Sequence, residues 1–247
     1  MSEIKLTNLS FEYGDGIRAL DGVTLQFKRH SATALVGPNG AGKTSLLMAI
    51  SGLIRTQGEV LVDDQILNDQ SIERLRRSMS FVFQNPDDML FMPTVHEDVL
   101  FGLDTLGLDQ AQAERRAAEA LALVSLAGYE RRSSHHLSYG ERRRVCLATA
   151  LARKSEIILF DEPTRELDPH GRRNFIDLFN KMEGTLLLAT HDLELVLETC
   201  PHMVLLDGGS VIATGNPHKI LEDSTLMESH RLEVPHSLTP HPLIQQR

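Results

Sequence analysis

The clearest chemistry in this 247-residue chain lies in Gly37-Pro38-Asn39-Gly40-Ala41-Gly42-Lys43-Thr44. The stretch fits G-x-x-x-x-G-K-[ST] and follows the apolar run Ala34-Leu35-Val36, which predicts a strand, a curled loop and a helix in that order. Its glycines let successive backbone N–H groups turn toward phosphate oxygens. Lys43 adds a compact positive charge for the β- and γ-phosphates, and the Thr44 hydroxyl is a hard oxygen ligand suited to Mg2+. Ser45 to Ile50 read as the helix, whose N-terminal dipole also favours an anion. Taken alone, these residues imply a nucleoside triphosphate and no more.

Two further constellations belong with the loop. Asp161-Glu162 closes the apolar run 157–160, so both carboxylates emerge at a sheet edge, where open α/β sheets bind ligands. Asp161 is placed to hold Mg2+, directly or through water, and Glu162 to act as general base on an attacking water. The plainer reading is an ordinary charge pair at a strand end. Ser138-Tyr139-Gly140-Glu141 precedes an apolar-periodic run. Ser138 and Glu141 have capping-box spacing, and the same helix start also forms a second anion site.

Leu137-Ser138-Tyr139-Gly140-Glu141, about twenty residues before an apolar-Asp-Glu strand end, resembles the signature of ATP-binding-cassette ATPases. The resemblance covers residues 3 to 222 and implies further roles. Tyr13 is similar to the aromatic that stacks on adenine. Gln84 is similar to the glutamine that touches Mg2+ and couples to a membrane partner. Leu167-Asp168 matches the end of the loop that crosses a dimer interface, and His191 the switch histidine that contacts the γ-phosphate; a buried structural histidine is the alternative. In this family two modules sandwich two ATP molecules. Ser138 and Gly140 are therefore expected to face the phosphate held by Lys43 of a second copy. The implied ATP contacts are Tyr13, Gly37, Pro38, Asn39, Gly40, Ala41, Gly42, Lys43, Thr44, Ser45, Ser138 and Gly140. The implied Mg2+ set is Thr44, Gln84 and Asp161, and the catalytic set is Glu162, His191 and Lys43. Phe83 to Asp88 and Thr94 to Val99 resemble the energy-coupling-factor subclass, whose ATPases drive uptake of cobalt, nickel or vitamins. The run 137–144 and Leu232 to His236 resemble its cobalt/nickel branch.

The elements that must position these residues are legible from periodicity. Alternating runs at 3–13 and 23–27, a strand at 32–36 and another at 58–62 predict strands around the phosphate loop, and the resemblance implies that they include an N-terminal antiparallel β subdomain. Ser71 is a candidate cap for a helix through Arg77, followed by a strand at 79–83. Helical spacing over 95–106, 109–127 and 140–153 predicts a helical subdomain at 87–154, inserted into an α/β P-loop (RecA-like) core. That core comprises 1–86 and 155–222. Continuous apolar runs at 157–160 and 185–189 predict strands buried on both faces. They alternate with helices at 169–182 and 192–199 and lead to strands at 202–207 and 210–214. Residues 223–247 are the C-terminal tail, loosely held from 231 onward. Val99 and Phe101, with Gln84 and 87–102, are expected to form the surface that receives a helix from integral membrane subunits.

Composition narrows the function. A net charge of −9 argues against a sequence-independent nucleic-acid partner. No apolar stretch approaches the ~18 residues of a membrane span, and Met1 to Lys5 lack a signal-peptide pattern. The expected place is peripheral, on the cytoplasmic face of the membrane. Cys146 and Cys200, the two cysteines, read as buried thiols in a reducing compartment. His135, His136, His230, His236 and His241 match no compact chelating pattern. Three positions depart from the family pattern. Tyr139 replaces a glycine, Arg165-Glu166 replace small residues as either paired or solvated charges, and Met89 stands where the subclass has glutamine.

Overall fold

A computed structural model describes residues 3–239. The chain begins with β1 (Ile4–Glu12), β2 (Arg18–Phe27) and β3 (Ala32–Val36), which feeds α1 (Lys43–Ile50). There follow β4 (Gln57–Val62), β5 (Gln65–Ile66), α2 (Ile72–Arg77) and β6 (Met79–Val82). Three helices come next: α3 (Val95–Phe101), α4 (Gln110–Leu123) and α5 (Tyr139–Ala152). Alternation resumes with β7 (Ile157–Asp161), α6 (Pro169–Phe179), β8 (Thr185–Ala189), α7 (Leu193–Thr199), β9 (His202–Asp207) and β10 (Ser210–Gly215). Two short helices, α8 (Pro217–Leu221) and α9 (Ser224–Ser229), complete the described elements.

One sheet is antiparallel with order β2-β1-β4-β5, and the other has six strands in the order β10-β9-β3-β8-β7-β6. In the larger sheet every neighbouring pair is parallel except β9 with β10. Its central strands β3, β7 and β8 are mostly apolar and are buried at every position except the half-buried Ala32, because both faces are covered. Ala34, Val36, Ile158, Phe160, Leu186 and Leu188 face a core shared with the helices. Leu35, Ile157, Leu159, Leu187 and Ala189 face a second core shared with α1 and the antiparallel sheet. Period-two alternation thus sorts neighbouring residues into two cores. Each wholly buried Leu or Phe contributes about 1.5–3 kcal/mol relative to exposure. The parallel register sets Leu35, Ala189 and Asp161 in one row, so the loops leaving β3, β7 and β8 open on the same edge. That edge is where the site lies.

The expected α/β core with its β subdomain and helical insertion is what the chain adopts, with several local differences. The expected helix over 95–106 stops at Phe101. A Cβ at Gly102 would lie 2.6 Å from Thr149 Cγ2 on α5, and a separate 3-10 turn covers Asp104–Leu106. The helix expected over 109–127 ends at Leu123, just before Ser125 takes a positive φ of 59°. That expected to reach 182 ends at Phe179. Ser71 precedes α2 but makes no capping bond; its hydroxyl instead accepts from Asn68 N–H at 3.0 Å. The tail expected to be loose from 231 is docked through 239. Leu232, Val234 and Leu238 pack on the helix-side core, and Ser237 N–H donates to Glu194 at 3.1 Å. His241 and the rest of 240–247 lie outside the described residues. Both cysteines are buried, and burial pushes Cys146 up to about 12 and Cys200 to about 11.

Candidate active site

The loop after β3 folds as its residues require. Gly37 (φ +155°) and Gly42 (φ +100°) take conformations that side chains rarely adopt. They also lie against neighbouring backbone: added Cβ atoms would fall 2.1 Å from Leu206 O and 2.3 Å from Ala19 O. The turn after β9 seals the outer side, with Gly209 N–H donating to Ala41 O at 3.2 Å. Lys43 folds back beneath the loop and donates from Nζ to Gly37 O at 2.7 Å and Pro38 O at 3.1 Å. Burial pulls its ammonium below the usual lysine range, against the opposing pull of Glu162 and Asp161.

Across the same edge, Thr44 Oγ1 donates to Asp161 Oδ2 at 2.9 Å and lies 3.1 Å from Oδ1. Burial raises the Asp161 carboxyl above its ordinary range, Glu162 adds to the rise, and Thr44, Lys43 and Arg143 oppose it. A hydroxyl and a carboxylate converging beside the loop form a hard oxygen set, the donor chemistry that fits Mg2+.

Glu162 is the next residue, and its backbone is unusual. It has φ of +48°, a left-handed conformation costing a non-glycine residue about 1–3 kcal/mol. Its N–H donates to Ala189 O at 2.9 Å, and its carbonyl accepts from Arg143 Nη2. The turn aims the carboxylate at the loop after β8. Glu162 Oε2 lies 2.8 Å from His191 Nδ1 and accepts from Thr190 Oγ1 at 3.5 Å. The His191 side chain is 61% exposed, so the alternative of a buried structural histidine is excluded. Asp192 anchors the same loop: it caps α7 through Leu195 N–H and receives Arg172 Nε at 2.6 Å and Nη2 at 3.0 Å.

Lys43, Thr44, Asp161, Glu162 and His191 thus gather at one edge of the sheet, Thr44 bonded to Asp161, Glu162 paired with His191, and Lys43 within the field of both carboxylates. A profile of the ABC transporter family matches residues 20–165. The chain belongs to that family. The energy-coupling factor transporter ATP-binding protein EcfA of Methanothermobacter thermautotrophicus is 40% identical over 238 residues, covering 94% of this chain and 76% of the relative. The cbiO1 structure from Clostridium perfringens, part of the ABC transporter complex cbiONQ, superposes with a TM-score of 0.79 at 30% identity, over 95% of this chain and 96% of that one. The bacterial cassette MJ0796, solved as a dimer, gives a TM-score of 0.78 at 29% identity, over 87% and 98%. The protein is an ABC transporter ATPase: it binds ATP and couples its hydrolysis to transport.

Tyr13 Oη lies 3.0 Å from Ser45 Oγ, and its half-exposed ring stands edge-on to Phe11 beside the loop helix. Ser138 and Gly140 start α5 but make no hydrogen bond to the loop. Ser138 forms the capping box with Glu141, and only Leu167 Cδ2, at 3.9 Å, approaches a Cβ built on Gly140. Asp168 caps α6 through Gly171 N–H at 2.6 Å. Gln84 is half-buried, and its backbone carbonyl accepts from Arg143 and Tyr139. Arg165 and Glu166 pair with each other at 3.7 Å on an exposed loop, and Met89 packs on the helix-side core. His230 Nδ1 lies 3.0 Å from Asp207 Oδ2.

The surface expected at Val99 and Phe101 needs correction. Val99 is wholly buried in the core, whereas Phe101 is 47% exposed and stacks edge-on with Phe91, itself 56% exposed. Asp98 fixes the Phe91 segment by accepting Phe91 N–H at 3.0 Å and Met92 N–H at 2.9 Å. Sequence reasoning passed over Arg143, Arg172 and Phe91. Arg143 had a signal: with Cys146, Leu147 and Ala150 it occupies positions i, i+3, i+4 and i+7, the inward stripe of α5.

Proposed function

We propose that the chain is the motor of an energy-coupling-factor importer for a divalent transition metal, cobalt or nickel. Two copies work together, each closing the other's ATP site, on the cytoplasmic face of the membrane. The observation that carries the hydrolytic part is the Glu162–His191 pair beside Lys43, Thr44 and Asp161. Likeness to the EcfA and cbiO1 proteins supports the importer class. The likeness of 137–144 and 232–236 to the cobalt/nickel branch favours metal over vitamin. Residues 87–154 act as the helical subdomain that meets integral membrane subunits, through the exposed Phe91–Phe101 pair.

In this reading the loop N–H groups and Lys43 hold the phosphates, Tyr13 stacks on adenine, and Glu162 takes a proton from the attacking water while His191 holds it in line. Thr44, Asp161 and Gln84 would hold Mg2+, which supplies charge neutralisation at the β- and γ-phosphates when bound. Ser138 and Gly140 of one copy present the N-terminus of α5 to the γ-phosphate held by the other. Glu162→Gln is expected to keep ATP binding and lower turnover by roughly 10²–10⁴-fold. Cargo is tested by purifying Glu162→Gln with ATP from detergent-solubilised membranes. The wild-type chain is then reconstituted with the recovered membrane subunits, and ATP-driven uptake of radioactive cobalt and nickel is measured. Accumulation that the variant lacks supports the proposal. Vitamin uptake without metal uptake replaces it with the vitamin importer.

A further inference from the structure

Arg143 is the most enclosed cation near the site, 4% exposed on the second turn of α5. Its Nη1 donates to Phe83 O at 2.9 Å and Gln84 O at 2.6 Å, and its Nη2 to the carbonyl of Glu162. One guanidinium therefore joins three segments: the helix opened by Ser138, the glutamine segment after β6, and the peptide of Glu162. Tyr139 reinforces the junction. Its hydroxyl donates to Gln84 O at 3.3 Å, and the Arg142 and Arg143 guanidinium carbons each lie 5.9 Å from its ring centre.

A buried cation is a costly way to fill space, since an apolar side chain of similar volume is often as stabilising. Arg143 Nε is buried without a partner. Its arrangement suits a fork that holds carbonyls in fixed relation, a geometry that a planar guanidinium provides. The carbonyl it holds belongs to the residue with φ of +48°, whose turn aims the Glu162 carboxylate at His191. Ser138 lies five positions before Arg143, about 7.5 Å of helical rise. A shift of the helix start thus moves the guanidinium, and with it the Glu162 peptide.

We propose that Arg143, assisted by Tyr139, is a positioning residue that ties the alignment of Glu162 to the placement of the Ser138 helix end and of Gln84. The inference rests on Glu162 being the general base. It gives Tyr139, which departs from the family's glycine, a defined role: its hydroxyl and ring hold the glutamine segment against the guanidinium. Contact of Ser138 with the phosphate of the opposite site then sets the carboxylate of its own.

The test is steady-state MgATP hydrolysis by the full chain as wild type, Arg143→Gln, Arg143→Lys, Tyr139→Phe and Glu162→Gln, with affinity for a fluorescent ATP analogue measured in parallel. Arg143→Gln is expected to lower kcat roughly 10- to 100-fold, the loss of hydrogen bonds from a charged donor, while nucleotide affinity stays within about twofold. Arg143→Lys recovers part of kcat, and Tyr139→Phe lowers it by roughly two- to fivefold. Wild-type kcat in Arg143→Gln overturns the proposal, as does a loss of affinity that matches the loss of kcat. If Arg143→Gln does not fold, unchanged kcat in Tyr139→Phe overturns it instead. Glu162→Gln separates the two levels: if it hydrolyses like wild type, the base assignment fails and the inference falls with it. A lowered Glu162→Gln beside an unaffected Arg143→Gln rejects the inference alone.

Discussion

The phosphate-loop corner and the signature corner are each a loop entering a helix N-terminus, α1 after Gly42 and α5 after Ser138, yet they differ in how their polar groups are engaged. Around Lys43 the chain closes on itself: two loop carbonyls hold the ammonium, Thr44 meets Asp161, and Glu162 meets His191. Around Ser138 the polar groups are satisfied locally by Glu141, and Leu167 Cδ2 lies 3.9 Å from a Cβ built on the half-buried Gly140. In the proposed dimer the Lys43 corner carries the phosphate and general-base groups, and the Ser138 corner serves the site of the other copy. Two copies related by a two-fold axis would bring the Ser138 corner of each to the Lys43 corner of the other.

The largest effect should come from the complete corner. Lys43→Ala removes the buried charge, and hydrolysis is expected to fall at least roughly 10²–10³-fold, as when a preorganised transition-state donor is lost. Turnover close to wild type would show that the corner is organised around something else. A smaller effect is expected at the strut beside it. Although burial pushes the Asp192 carboxyl up, its bonds from Arg172 and Leu195 N–H outweigh that and hold it below its ordinary value of 3.8. A depressed carboxylate stabilises the fold above that ordinary value, and the contribution disappears as pH falls through the folded value. Asp192→Asn should therefore cost about 1–3 kcal/mol at pH 7, with the gap to wild type closing as pH falls below the ordinary value of 3.8 in denaturant titrations. A gap that persists at low pH would mean that packing, not the ion pair, anchors the His191 loop.

Much of this was legible in the sequence, for reasons particular to each element. The loop spacing, the doubly buried strands expected at 157–160 and 185–189 and the Ser138 cap are local signals, and the structure agrees with them, extending the first strand by one residue to Asp161. Val99 and Phe101 were harder. Apolar residues run continuously from 99 to 101, so helical period alone does not say which faces out until Val95 and Leu103 complete the inward stripe. Docking of 231–239 depends on contacts with α7 and the helix-side core, which no local pattern announces. The Arg143 junction joins positions 59 to 60 residues apart on one side and 19 on the other, a relation that exists only in the folded chain.

In the proposed dimer the Ser138 helix end of one copy completes the Lys43 site of the other. Mixing inactive Lys43→Ala protein with inactive Ser138→Arg protein tests it most directly. Random pairing leaves one intact composite site in each mixed dimer, so about a quarter of wild-type ATPase activity should return. Activity of the mixture equal to the sum of the two variants measured separately, or full activity in Ser138→Arg alone, would contradict it.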